Sequence, residues 1–107
     1  MPDAPFDVTI RVGQIVRAEP FPETRKPHMC KLWIDLGERT VASAAQLLAH
    51  HEAEALVGQQ VLCATDLGTV NIAGFTSEVL TLGVPGDDGL PVLVTPAKAV
   101  PLGGSLY

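Results

Sequence analysis

Lys31 and Trp33 are the residues of this chain whose types and spacing best suit chemistry. They alternate with Leu32, Ile34 and Leu36. In a strand, the three apolar side chains then point one way, and the amine and the indole the other. An amine beside an aromatic ring on an exposed face suits nucleic acid, because the amine meets phosphate and the ring stacks a base. Arg25 and Lys26, with His28 nearby, precede that strand, and Arg39 follows it. The competing role for Trp33 is to cover a subunit interface or cap one end of the core. Arg25 and Lys26 also read as ordinary solvated loop charges.

Other chemistry is poorly served. His50-His51-Glu52-Ala53-Glu54 is not HExxH, since position 55 is Ala, and no second ligand pair stands at a recognisable spacing, so no metal is expected. Cys30 and Cys63 have no CxxC partner or catalytic flank and read as reduced, half-buried core thiols. No GxSxG, Walker A or GxGxxG pattern occurs. The expectation is a binding module that is not an enzyme and takes no cofactor.

The charge distribution narrows the partner. The formal net charge is −5 over 107 residues. Up to Arg39, six basic residues face six acidic ones, whereas from Thr40 onward Lys98 alone is basic against six carboxylates. Basic character therefore belongs to the first third. Binding to RNA gains affinity by releasing counterions and needs clustered cations. Arg25, Lys26, Lys31 and Arg39 are four per chain. A homodimer doubles them, which is comparable to the ~6–10 phosphate contacts of a typical binder.

The elements that must position these groups are mostly strands. Val8–Val12 alternates and resumes after Gly13 with Gln14–Val16, so a bulge or sharp bend is expected at that glycine. Pro20 to Pro27 is a loop with three prolines, and Lys31–Leu36 is a half-buried strand that turns at Gly37-Glu38 into Arg39–Ala44. A short helix ends near Leu56-Val57, with Gly58 placed as its C′ cap. Gln60–Leu67, Val79–Val84 and Pro91–Thr95 are further strands, with a turn at 85–89; Gly68 to Gly74 is a loop, and Ala99–Tyr107 has no regular pattern. Three strands, a helix and further strands is the order of a five-stranded Greek-key OB-fold barrel, and residues 1–107 make one domain. Other small β-barrels share this spacing. The segment 1–5 lacks the features of a secretion signal, and no apolar run reaches membrane-spanning length, so a cytoplasmic protein without membrane contact is expected.

Apolar residues make up 47% of the chain. Phe6, Val92, Val94, Leu102, Leu106 and Tyr107 are many large groups for terminal segments that usually fray. Burial at a two-fold interface accounts for them, as does packing on the chain's own barrel; the dimer is the favoured expectation.

Longer blocks resemble one family. Phe6–Val16, the run Ala18-Glu19-Pro20-Phe21-Pro22-Glu23-Thr24-Arg25-Lys26-Pro27, Lys31–Gly37, Leu56–Val61, Ser77–Val84 and Ala99–Gly104 resemble, in order, the CsaA-type tRNA-binding proteins. That family is related to the domain appended to the C-terminus of some methionyl-tRNA synthetases. The resemblance implies an OB-fold homodimer joined through terminal segments, binding tRNA by its shape or, for the CsaA type, unfolded polypeptide as an export-related chaperone. It adds Ser43, Gln46 and Ser77 to the RNA-binding candidates, although a structural role is the commoner one for serine and glutamine, whereas Glu78 suits fixing a loop by accepting backbone N–H groups. The chain departs from the family pattern twice. Val41-Ala42 stand where a basic pair is usual, and Asp66-Leu67-Gly68-Thr69-Val70 replaces an Asn-aromatic-Pro-Pro-Arg loop. Both changes remove cations and give weight to the alternatives, a peptide-binding chaperone or a diverged protein–protein adaptor.

Overall fold

The computed structural model describes residues 7–107, so the interface candidate Phe6 lies outside the described residues. The barrel is built around β1 (Ile10–Pro20). The first half of β1 pairs antiparallel with β4 (Gln60–Ala64), and the second half with β2 (Cys30–Asp35); the changeover is at Gln14. A strand that serves two neighbours in succession must curl. Beside the changeover, a Cβ on Gly13 would run into the Ile34 and Leu36 side chains. Glycine is therefore required there by the close approach of β2. The bulge itself falls between Ile15 and Arg17, displaced from the expected position.

β3 (Thr40–Ala45) extends the sheet beyond β2, and β7 (Leu80–Thr81) extends it beyond β4, giving the order β3-β2-β1-β4-β7. A single helical turn, α1 (Ala53–Leu56), separates β3 from β4. Gly58 follows it at φ +92°, a conformation glycine adopts without a Cβ penalty. Leu56 is buried with Ile15, Leu32, Ile34, Val41, Leu47 and Val61, and this cluster fills the barrel. The arrangement is an all-β OB-type barrel of five strands.

The seam between β3 and the chain before β7 closes largely through side chains. The Ser43 hydroxyl donates to Val79 O (3.1 Å) and accepts from Thr81 Oγ1 (2.8 Å). Ala44 N–H donates to Ser77 Oγ (3.0 Å), and Ala42 N–H to Glu78 Oε1 (2.8 Å). Glu78 N–H returns a bond to Ala42 O (2.8 Å). Buried polar groups need such partners, because an unpaired one costs ~1–3 kcal/mol.

Three segments differ from the sequence-based expectation. The run 79–84 is not one strand: it breaks after β7, and β8 (Gly83–Pro85) leaves the barrel to pair with β9 (Pro91–Leu93). The stretch Gly68 to Gly74 is not a plain loop. It enters a hairpin of β5 (Val70–Ile72) and β6 (Phe75–Ser77), turned by Ala73 and Gly74 at φ +49° and +84°. Positive φ at both turn residues matches strand twist in tight hairpins. The tail is also ordered along β1. Val12 N–H bonds Gly104 O (2.9 Å), Gly103 N–H bonds Val12 O (2.8 Å), and Leu106 N–H bonds Ile10 O (2.8 Å). β2 pairs with β1 only from Gln14 onward, so the tail satisfies backbone groups that would otherwise stay open on that edge.

Candidate nucleic-acid interface

β2 alternates between buried Cys30, Leu32 and Ile34 and half-buried Lys31, Trp33 and Asp35. The second set faces outward. In register, Arg17 of β1 lies opposite Trp33, and Glu19 opposite Lys31. The Arg17 guanidinium stands 4.7 Å from the Trp33 ring centroid, and it also pairs with the Glu19 carboxylate. Lys31 Nζ lies 4.8 Å from the Phe21 ring and 5.4 Å from that of Phe75. Phe75 packs edge-on against both Phe21 (5.6 Å, 73°) and Trp33 (5.7 Å, 78°).

These contacts make one ladder of two cations and three rings. Cations over rings gain about 0.5–1 kcal/mol at exposed sites and more when desolvated. The larger consequence is positional. Lys31 Nζ sits over the Phe21–Phe75 ring pair, with no carboxylate partner among the described residues. Its charge stays available to an incoming anion at a defined place.

Phe75 completes the ladder because β6 lies against β3. On β3, Ala42 and Ala44 stand in register with Trp33 and Lys31. Their small side chains leave room for the hairpin to cover that part of the face. The Val41-Ala42 departure thus has a structural counterpart: Val41 is buried in the core, and Ala42 is half-buried and bonded through its backbone to Glu78.

The loop between β1 and β2 borders this ladder and is firmly tied. Phe21 N–H bonds Met29 O (3.0 Å), Leu48 N–H bonds His28 O (2.9 Å), and Gln46 Nε2 donates to Pro27 O (2.9 Å). The Thr24 hydroxyl donates within the loop to Lys26 O (3.0 Å). Arg25 and Lys26 are exposed on it and line two clefts, one of about 430 Å³ facing the hairpin and one of about 370 Å³ facing Leu48.

The structure places Lys31 and Trp33 in the ladder and Arg25 and Lys26 on the loop that borders it, and sets other candidates apart. Arg39 is exposed beyond Asp35, opposite Leu36 at the far end of β2 from Lys31, roughly 17 Å along the strand at ~3.3 Å per residue. Ser43 is fully buried and Ser77 nearly so, and both hydroxyls are used in the seam. Both serines thus take the structural role weighed beside RNA contact. Gln46 Nε2 is spent on the loop, at Pro27 O, and Glu78 accepts the Ala42 N–H.

Val92 and Val94 are half-buried at the β9 hairpin, Leu102 packs against Gly37, and Leu106 and Tyr107 are exposed, Tyr107 at 91%. Away from the ladder, His50 Nε2 lies 3.0 Å from Asp88 Oδ1, and His51 Nε2 accepts the Leu93 N–H at 3.2 Å. Burial and the neighbouring His50 hold the His51 pKa below its usual 6.5. Burial pushes the thiols up, Cys30 to about 11 and Cys63 to about 12.

Sequence reasoning missed Arg17, Phe21 and Phe75. Arg17 joins only through cross-strand register, and Phe75 only through the hairpin's return. Phe21 carried a signal, since it stands in the family-like loop run.

A barrel with a tied loop and a cation–aromatic face defines a class of binding domain. Residues 10–105 match the family model described as "Putative tRNA binding domain", and the chain belongs to that family. It is 29% identical over 99 residues to the methionine–tRNA ligase of Methanocaldococcus jannaschii, covering 92% of this chain and 15% of that ligase. The chain thus spans about 15% of the ligase's length. Among solved structures, the chaperone CsaA of Bacillus anthracis is 34% identical with a TM-score of 0.81, over 94% of this chain and 90% of that one. The CsaA chaperone of Picrophilus torridus is 32% identical with a TM-score of 0.83, over 94% and 92%.

Proposed function

We propose that this chain binds tRNA by shape and backbone charge, as a cytoplasmic homodimer of the CsaA type. The ladder Arg17–Trp33–Phe75–Lys31–Phe21 is the observation that carries this reading. It combines fixed cations with the half-buried rings of Trp33 and Phe75 beside a loop bearing two more cations. Phosphate contacts supply affinity, and stacking supplies sequence-tolerant grip. The net charge of −5 opposes RNA at long range, so binding depends on this local patch. Pairing two chains through the β8–β9 hairpin and the end of the tail presents two such faces to one RNA.

The test is binding of labelled bulk tRNA at low and physiological salt, with Lys31→Glu as the control. Affinity that falls with salt and is lost in the variant supports the reading. Absence of binding at low salt overturns it. A second reading, capture of unfolded polypeptide, is favoured by one observation. Leu67, Val70 and Leu80 are each at least half exposed around an apolar cleft of about 220 Å³. That reading expects suppression of client aggregation with little salt dependence.

A further inference from the structure

The cleft of about 430 Å³ between the β1–β2 loop and the hairpin tip has a composition that the ladder does not explain. It falls in the ~300–1,000 Å³ class that encloses most of a small ligand. Met29, Ile72 and Ala73 give it apolar walls; Glu23, Thr24, Arg25 and Lys26 supply its polar groups. Among the described residues, neither Glu23 nor the two cations form ion pairs. The Thr24 proton is already donated to Lys26 O, so toward a ligand its hydroxyl only accepts. Apart from the cations, the cleft's polar side chains are thus acceptors.

We infer that this cleft receives one unpaired nucleobase carrying an exocyclic amino group. The inference rests on the RNA reading above and deepens it. The base lies between Met29 and the Ile72–Ala73 tip, its flanking phosphate meets Arg25 and Lys26, and Glu23 accepts from the amino group. Carboxylates accept from cytosine N4 in this way. Uracil presents an acceptor, O4, at the same position, and two acceptors facing each other repel. Unpaired, splayed-out bases are what proteins read in folded RNA, and a tied loop provides a preorganised wall for one.

Cytosine and uracil differ at this edge while stacking alike, so they make the test. Short oligo(rC) and oligo(rU) are titrated at low salt against wild type, Glu23→Gln and Ile72→Trp, with bulk tRNA alongside. A hydrogen bond to a charged acceptor predicts that wild type holds oligo(rC) on the order of tenfold more tightly than oligo(rU). Glu23→Gln both donates and accepts, so its ratio approaches one. Ile72→Trp fills the cleft, suits a strand position, and weakens both oligonucleotides with the cations intact. Equal binding of the two by wild type, or a preference that survives in Glu23→Gln, overturns the pocket. If tRNA still binds and is lost in Lys31→Glu, the RNA reading stands while the pocket falls. If tRNA does not bind at all, both fall.

Discussion

Phe75→Leu isolates the aromatic ladder from charge. The substitution removes two edge-on ring pairs, with Phe21 and Trp33, and the Lys31 contact at 5.4 Å. Each ring pair is worth about 0.5–1.5 kcal/mol beyond area burial. Leucine keeps most of the apolar bulk of this half-buried side chain, so the transfer loss is small. The expected cost is about 2 kcal/mol, a large share of the ~5–15 kcal/mol that holds a domain of this size. Urea unfolding followed by circular dichroism measures it. With a typical slope of ~2 kcal/mol/M, the midpoint falls by roughly 1 M and the slope is unchanged. Trp33→Leu and the double variant complete a cycle whose coupling should be about 0.5–1.5 kcal/mol. The same variant should weaken tRNA binding without changing its salt slope, because no cation is lost. A stability within about 0.3 kcal/mol of wild type, together with zero coupling, would refute the ladder as an energetic unit.

Gly13→Ala places a methyl group against Ile34 and Leu36; thermal unfolding should show a loss of about 1–3 kcal/mol from overpacking. Cys30 and Cys63, with pKa values raised to about 11 and 12 by burial, should resist an aromatic disulfide reagent at pH 8 and react together once the chain unfolds in denaturant. His51 is held below its usual pKa of 6.5, so the unfolded chain takes up its proton first as pH falls. The stability linked to neutral His51 is present above about 6.5 and is lost below it, as the pH approaches the lowered folded value. Thermal midpoints measured from pH 7.5 downward should fall across that window. His51→Gln, which can still accept the Leu93 N–H, should flatten the slope.

The alternation Lys31/Trp33 against Leu32/Ile34 assigned both faces of β2 without any structure, because period two alone decides which side chains share a face. Gly58 marked the helix end for an equally local reason, its positive φ. Phe75 was illegible. Val70–Ser77 is short and weakly alternating, and its turn depends on Ala73 taking a conformation that alanine rarely adopts. The tail was illegible too. Its order comes from an open edge of β1 that exists only because β2 stops pairing at Gln14.

Sequence by itself therefore determined what depends on neighbours along the chain: strand faces, the helix end, the proline-rich loop and its two cations. Tertiary structure alone decided which of those groups meet. It buried Ser43 in the seam, set Arg39 apart from Lys31, and brought Arg17, Phe21 and Phe75 around Trp33 and Lys31. The physical reason is that register and barrel closure are set by the packing of whole strands, and no local pattern encodes which residue a strand returns to.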